Sequence, residues 1–192
     1  RGGSDYTASL VAAAINASVC EIWTDIDGMH NNDPRIVDKT VAVEQLSFDE
    51  AAELAYFGAK ILHPACIWPA QMYNVPVKLL NTMQPKAKGT TIEHNANGTG
   101  VKAVAAKDGI IAIGIKSSRM LLAHGFLRKI FEVFEKYKTS IDMITTSEVA
   151  VSVTIDTDTH LDAIVKELEP FGTVEIDANQ TIVSIVGNEI AE

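Results

Sequence analysis

Leu127, Ile130, Phe131 and Phe134 fall at the i, i+3, i+4, i+7 spacing that places them on one face of a helix. Leu161, Ile164, Val165 and Leu168 repeat that spacing, with Gly172 beyond them as a stop. Between the two runs, Val149, Val151, Val153 and Ile155 alternate with Ala150, Ser152, Thr154 and Asp156, the period of a half-buried strand. Ile110–Ile115 predicts a strand before the first helix, Val174 and Ile176 begin one after the second, and Thr181–Val186 forms a further one. The order reads βαββαβ with a strand left over, which needs a partner. The aromatics of the first helix lie on its apolar stripe and are assigned to the core.

Residues 1–82 have another rhythm. An Ala-rich helix is expected over Ser4–Ala17, then a strand at Glu21–Thr24 running into the turn signal Asp25-Ile26-Asp27-Gly28. Ser47 and Glu50 stand at capping-box spacing, so a helix should run from Phe48 to Gly58. Pro64 and Pro69 bracket a short helical segment, and Val75–Leu80 reads as a strand. Alternating strands and helices predict a parallel sheet covered by helices. Over residues 83–102 the apolar pattern fades into Lys, Gly, Thr and Asn, as in a linker, and residues 103–192 form the second domain. Asn97-Gly98-Thr99-Gly100 is turn chemistry without a P-loop lysine.

A chain of 192 residues, 47% apolar and 21% charged, can bury a core in each of these parts. Its net charge of -9 argues against nucleic acid or an anionic membrane as partner. The two cysteines, Cys20 and Cys66, form no CxxC motif and read as buried small hydrophobes. With no signal peptide or long apolar run, a reduced cytoplasmic protein is expected. No pair among His30, His63, His94, His124 and His160 has metal-ligand spacing, so no protein-held metal is expected.

The opening run Arg1-Gly2-Gly3-Ser4-Asp5 carries ligand chemistry. Two glycines let the backbone bend closely around a ligand, and Ser4 or Asp5 can cap the helix that follows. That helix start is an anion site with an arginine fork beside it.

Arg1–Ala8, Trp23–Gly28, Asp33-Pro34-Arg35 and Phe57–Pro64 resemble, in order, the motifs of aspartate kinases. Met120, His124–Leu127 and Ser140–Glu148 are similar to the regulatory ACT domain of the lysine-sensitive members. The resemblance implies an α/β chain: the C-terminal part of an amino-acid-kinase (carbamate-kinase-like) fold, then a ferredoxin-like βαββαβ ACT domain. The leftover strand would begin a second, truncated ACT module. The family's Lys-Phe-Gly-Gly segment does not occur here, so the resemblance also implies part of a longer enzyme, with this part inactive alone.

Aspartate kinases move the γ-phosphoryl group of ATP, carried with Mg²⁺, onto the side-chain carboxylate of L-aspartate. That acceptor is already ionised at neutral pH, so positioning and charge neutralisation suffice. By the resemblance, Arg1 meets the substrate α-carboxylate, Asp5 its ammonium or a phosphate-binding lysine, and Ser4 assists. Thr24, Asp25, Arg35 and Lys60 line the ATP site, and His30 replaces a family tyrosine. The resemblance also implies lysine as effector and a homodimer through ACT sheets. Backbone N–H groups of Gly125, Phe126 and Leu127 would take the α-carboxylate, and Asp142 the α-ammonium. Ser147 and Glu148 would take the ε-ammonium, with Met120 along the stem. Leu122 stands where lysine-sensitive enzymes carry a histidine. Two other readings are an amino-acid-binding dimerisation module without catalysis, and another amino-acid kinase, for glutamate or uridylate.

Overall fold

The computed structural model describes residues 3–58, 62–118 and 124–190. Two compact units make it up, Arg1–Ala106 with Val183–Glu192 and Lys107–Ile182. Among the described residues no helix is long and apolar enough to cross a membrane.

In the first unit, α1 (Gly3–Ala14) turns Ser9, Ala12 and Ala13 inward, small side chains that let α3 (Pro64–Met72) approach closely. The helix stops before the expected Ala17. Asn16 takes a left-handed φ of 50° and Ala17 N–H closes back on Ala12 O at 2.9 Å, which ends the helix. α2 (Phe48–Phe57) starts at the expected capping box: Ser47 Oγ accepts from Glu50 N and Glu50 Oε2 from Ser47 N. Its buried Phe48, Ala51, Leu54 and Ala55 pack on Met29, Leu46, Ile67 and Leu79. α3 continues past Pro69, which had been expected to bound it.

β1 (Cys20–Thr24) and β3 (Val77–Asn81) are parallel, as are β2 (Gln45–Leu46) and β4 (Thr90–Ile92). β3 and β4 run antiparallel, giving the order β1-β3-β4-β2. The expected parallel sheet is therefore mixed. The stretch expected to be a linker supplies β4, and the connection from β3 is too short for a parallel crossover. Thr90 is fully buried. Cys20 and Cys66 are buried, and burial pushes both thiols above their usual range.

The second unit has the expected βαββαβ order. It comprises the latter part of β5 (Gly100–Lys116), then α4 (Phe126–Lys136), β6 (Ile144–Thr146), β7 (Ala150–Ile155), α5 (Leu161–Leu168), and the earlier part of β8 (Thr173–Asn188). The sheet order is β6-β7-β5-β8, with β6 and β8 at the edges. Ile113, Ile115, Val151, Val153 and Ile155 from the sheet meet Ile130, Phe134, Ile164 and Leu168 from the helices. Two expectations differ. β5 starts ten residues earlier than Ile110, at Gly100, and the two terminal strands are one 16-residue strand. The polar run Asp177–Gln180 reads as a break, yet Thr181 bonds Asp108 at 2.6 Å, and left-handed Asn179 and Gly109 let both strands continue.

Candidate functional site

Thr24 ends β1, beside Asn81 at the end of parallel β3. Ligands in open α/β sheets bind outside such carboxyl ends. Thr24 Oγ1 donates to Asp25 Oδ1 at 3.0 Å, so these two candidates are joined. The loop beyond is pinned from beneath. Thr90 Oγ1 accepts from Met29 N at 2.8 Å and donates to Val43 O at 2.7 Å. Gly28, at φ 126°, leaves that hydroxyl its room, since a Cβ there would lie 2.4 Å from Thr90 Oγ1. Thr90→Val should cost roughly 1–3 kcal/mol, the penalty for a buried N–H left unpaired. Urea unfolding measures it, and an unchanged midpoint would show that the hydroxyl does not hold the loop.

His30 lies in the same loop, its Nε2 2.7 Å from Asp27 Oδ1 and its Nδ1 2.7 Å from Thr40 Oγ1. Arg35 is exposed but not loose: it forks onto Asp33 through Nε at 3.0 Å and Nη2 at 2.5 Å. Sequence reasoning quoted Asp33 within the Asp-Pro-Arg run without giving it this work. The Arg35 guanidinium holds the Asp33 carboxyl below its usual value, and the bond from His30 does the same for Asp27. In the unfolded chain both titrate near 3.9. Lower folded values stabilise the fold above that pH, and the contribution is lost as pH falls through them. Unfolding measured from about pH 6 to about pH 2 should show a smaller acid loss for Asp33→Asn than for the parent chain. Identical curves would contradict this.

At the start of α1, Ser4 Oγ donates to Asp5 Oδ1 at 3.1 Å. Asp5 is close enough to Cys20 and Cys66 for its charge to raise both thiols. Arg1, Lys60, Met120 and Leu122 lie outside the described residues.

In the second unit, Gly125 caps α4 at φ 75° and ψ 15° with no side-chain cap. The first N–H groups of α4 therefore point out of the helix, the geometry that receives a carboxylate. Phe126 is buried and Leu127 half-buried. Phe126 packs edge-on against Phe171, at 6.2 Å between centroids. Gly172 backs directly onto Lys116, which pairs with Ala150. Ser147 and Glu148, both exposed, form the turn just before Ala150, where Ser147 N donates to Ala150 O. The α4 start and the Ser147–Glu148 turn thus share one end of the unit.

Asp142 is at the other end. Residues 142–147 run extended against 150–154, about 17 Å at the usual rise per residue. The Asp142 side chain is fully buried and lies 3.3 Å from Lys107 Nζ, which also reaches Asp156 at 3.0 Å. One chain therefore does not bring Asp142 to the N–H groups of residues 125–127. A ligand's α-ammonium and α-carboxylate, on one carbon, cannot span that length. Asp142 and the residues at the α4 start therefore lie at opposite ends of one chain, and nothing in the sequence marked Lys107.

Among the described residues no group of three or more His, Cys, Asp or Glu side chains could hold a metal ion.

The chain matches the family model "Amino acid kinase family" over residues 1–81 and "ACT domain" over residues 113–166. It is 38% identical to lysine-sensitive aspartokinase 3 of Escherichia coli, over all of this chain and 45% of that protein. It is 39% identical to chloroplastic aspartokinase 3 of Arabidopsis thaliana, over 98% of this chain and 36% of that protein. The chain therefore spans less than half the length of these curated relatives. Among solved structures it superposes with a TM-score of 0.86 on E. coli aspartokinase III in complex with lysine and aspartate (T-state). That match has 38% identity and covers all of this chain and 44% of that one.

Proposed function

We propose, from the premise that the chain belongs to the aspartokinase family, that its parent enzyme phosphorylates the β-carboxylate of L-aspartate from ATP and that L-lysine regulates it. The observation carrying this reading is the superposition of the whole chain on an aspartokinase that holds both lysine and aspartate. In the first unit, Arg1 would fork onto the substrate α-carboxylate, and Asp5, oriented by Ser4, would meet its ammonium. Thr24 and Asp25 would bond ribose or base at the end of β1. Arg35, pre-aligned by Asp33, and Lys60 would face the phosphates and neutralise charge in transfer. The described residues offer no metal cluster. Mg²⁺ would enter with ATP, held mainly by phosphate oxygens and water.

Lysine would bind between two ACT units. Gly125, Phe126 and Leu127 of one chain take its α-carboxylate, with Met120 along the stem and Ser147 and Glu148 at the ε-ammonium. Asp142 of a second chain takes the α-ammonium. The separation of Asp142 from the α4 start along β6 supports this division, and β6 is an exposed edge able to face another sheet. Regulation follows if lysine binds one arrangement of the dimer better than the other.

Calorimetric titration of the 192-residue chain with L-lysine and with L-threonine tests the regulatory half. Saturable lysine binding without threonine binding is expected, and threonine binding alone would overturn the effector. In the second reading, the chain is a binding and dimerisation module without catalysis. Both hold if catalysis belongs to the parent enzyme; coupled ATP–aspartate turnover by this chain would overturn the second reading, and none above background is expected.

A further inference from the structure

Asp142, given above the ligand's α-ammonium, already meets an ammonium group of its own chain. Lys107 Nζ lies 3.3 Å from Asp142 Oδ1 and 3.3 Å from Oδ2. Both distances are long for a charge-assisted N–H···O bond, which runs to about 2.9 Å. The same Nζ lies 3.0 Å from Asp156 Oδ2. Exposure rises along this row: the Asp142 side chain is 0% exposed, Lys107 19% and Asp156 44%. Lys107 thus stands between the buried carboxylate and the exposed one. Asp142 is held still by its backbone. Asp142 N donates to Thr154 O at 2.8 Å, and Met143 N donates to Thr154 Oγ1 at 3.0 Å. Lys107 carries its charge on a flexible four-carbon stem, so it is the partner able to move.

We propose that Lys107 holds the α-ammonium position while the effector site is empty, and that the effector enters by exchange with it. The inference rests on the effector reading above. The ligand's α-ammonium and the Lys107 ammonium are the same chemical group, so either can donate to the Asp142 carboxylate. On exchange Lys107 swings away from Asp142 and keeps Asp156, so the ligand's arrival strands no charge. A fully buried carboxylate without a cation is costly. Lys107 therefore stabilises the empty site and, by the same contact, competes with the ligand. A ligand without an α-ammonium gains nothing from Asp142 and leaves Lys107 in place. Lys107 is a specificity-determining residue in this sense: it sets how much the α-ammonium adds to affinity.

The test is calorimetric titration of the 192-residue chain and its variants with L-lysine and with ε-aminocaproate. The second ligand keeps the carboxylate and the ε-ammonium but lacks the α-ammonium. Lys107→Met should tighten L-lysine binding about tenfold or more, the worth of one hydrogen bond to a charged group, and leave ε-aminocaproate within about twofold. Asp156→Asn removes the group that retains Lys107 and should weaken L-lysine about threefold, with ε-aminocaproate unchanged. Asp156 is exposed, so this second variant decides if a thermal melt shows that Lys107→Met has lost its fold. Lys166→Met, at an exposed position on α5, removes the same charge elsewhere and should change neither ligand. Unchanged or weaker L-lysine binding by a folded Lys107→Met, or equal changes for the two ligands, would overturn the exchange and leave the effector reading standing. Absence of L-lysine binding by the parent chain would overturn that reading, and the exchange with it.

Discussion

Glu148→Ala removes saturable lysine binding, while Lys60→Ala leaves it intact. The ε-ammonium gives up water on entering a site and needs an anionic partner there. Truncating one side of a desolvated charge pair costs about 2–5 kcal/mol, which is roughly thirtyfold to several thousandfold in affinity. Glu148 is exposed in the turn after β6, so the change perturbs no core and loss of binding cannot be a folding defect. Lys60 belongs to the segment that matches the amino acid kinase family and is not among the residues proposed to hold the effector. Calorimetry on both variants measures the contrast. Equal loss in the two would show the effector assignment to be wrong.

Lys102→Met is the substitution with the largest expected effect on stability. Its Nζ bonds Glu50 Oε2 at 2.9 Å, and the two side chains are 11% and 8% exposed. Removing one partner of a buried pair leaves an uncompensated charge and costs about 3–5 kcal/mol. The cost is aggravated here because Glu50 Oε1 lacks a donor among the described residues. Lys102→Met with Glu50→Gln should recover much of the loss, since no charge is then buried. Denaturant unfolding of both variants decides. A loss under about 1 kcal/mol for Lys102→Met would mean that water reaches Glu50 in solution.

The helices of the second unit were legible because their apolar residues repeat strictly: Ile130 and Phe134, Ile164 and Leu168 are the residues that fill its core. The Ser47–Glu50 capping box was legible for the same local reason. What escaped depends on partners distant in the chain. β4 is only three residues long, and its strand character comes from pairing with β3 and β2. Two expected strands became one because β5 runs alongside the polar residues between them. At the site, no periodicity marks Arg35, Asp142 or Glu148; they were reached through family resemblance. That route names residues but not distances. It gave Asp142 and Gly125–Leu127 to one ligand, and strand geometry adds that they lie at opposite ends of a single chain, with Lys107 on the Asp142 carboxylate.

That separation makes a lysine site shared between two chains measurable in one mixture. Asp142→Asn and Glu148→Ala chains, each unable to bind lysine alone, are unfolded, mixed in equal amounts, refolded together and titrated calorimetrically with L-lysine. If each site takes Asp142 from one chain and Glu148 from the other, every mixed dimer carries one intact site. About half the dimers are mixed, and saturable binding should return at about a quarter of the parent's site number. No recovery, or lysine binding by either variant alone at the parent's affinity, would contradict an effector site shared between two chains.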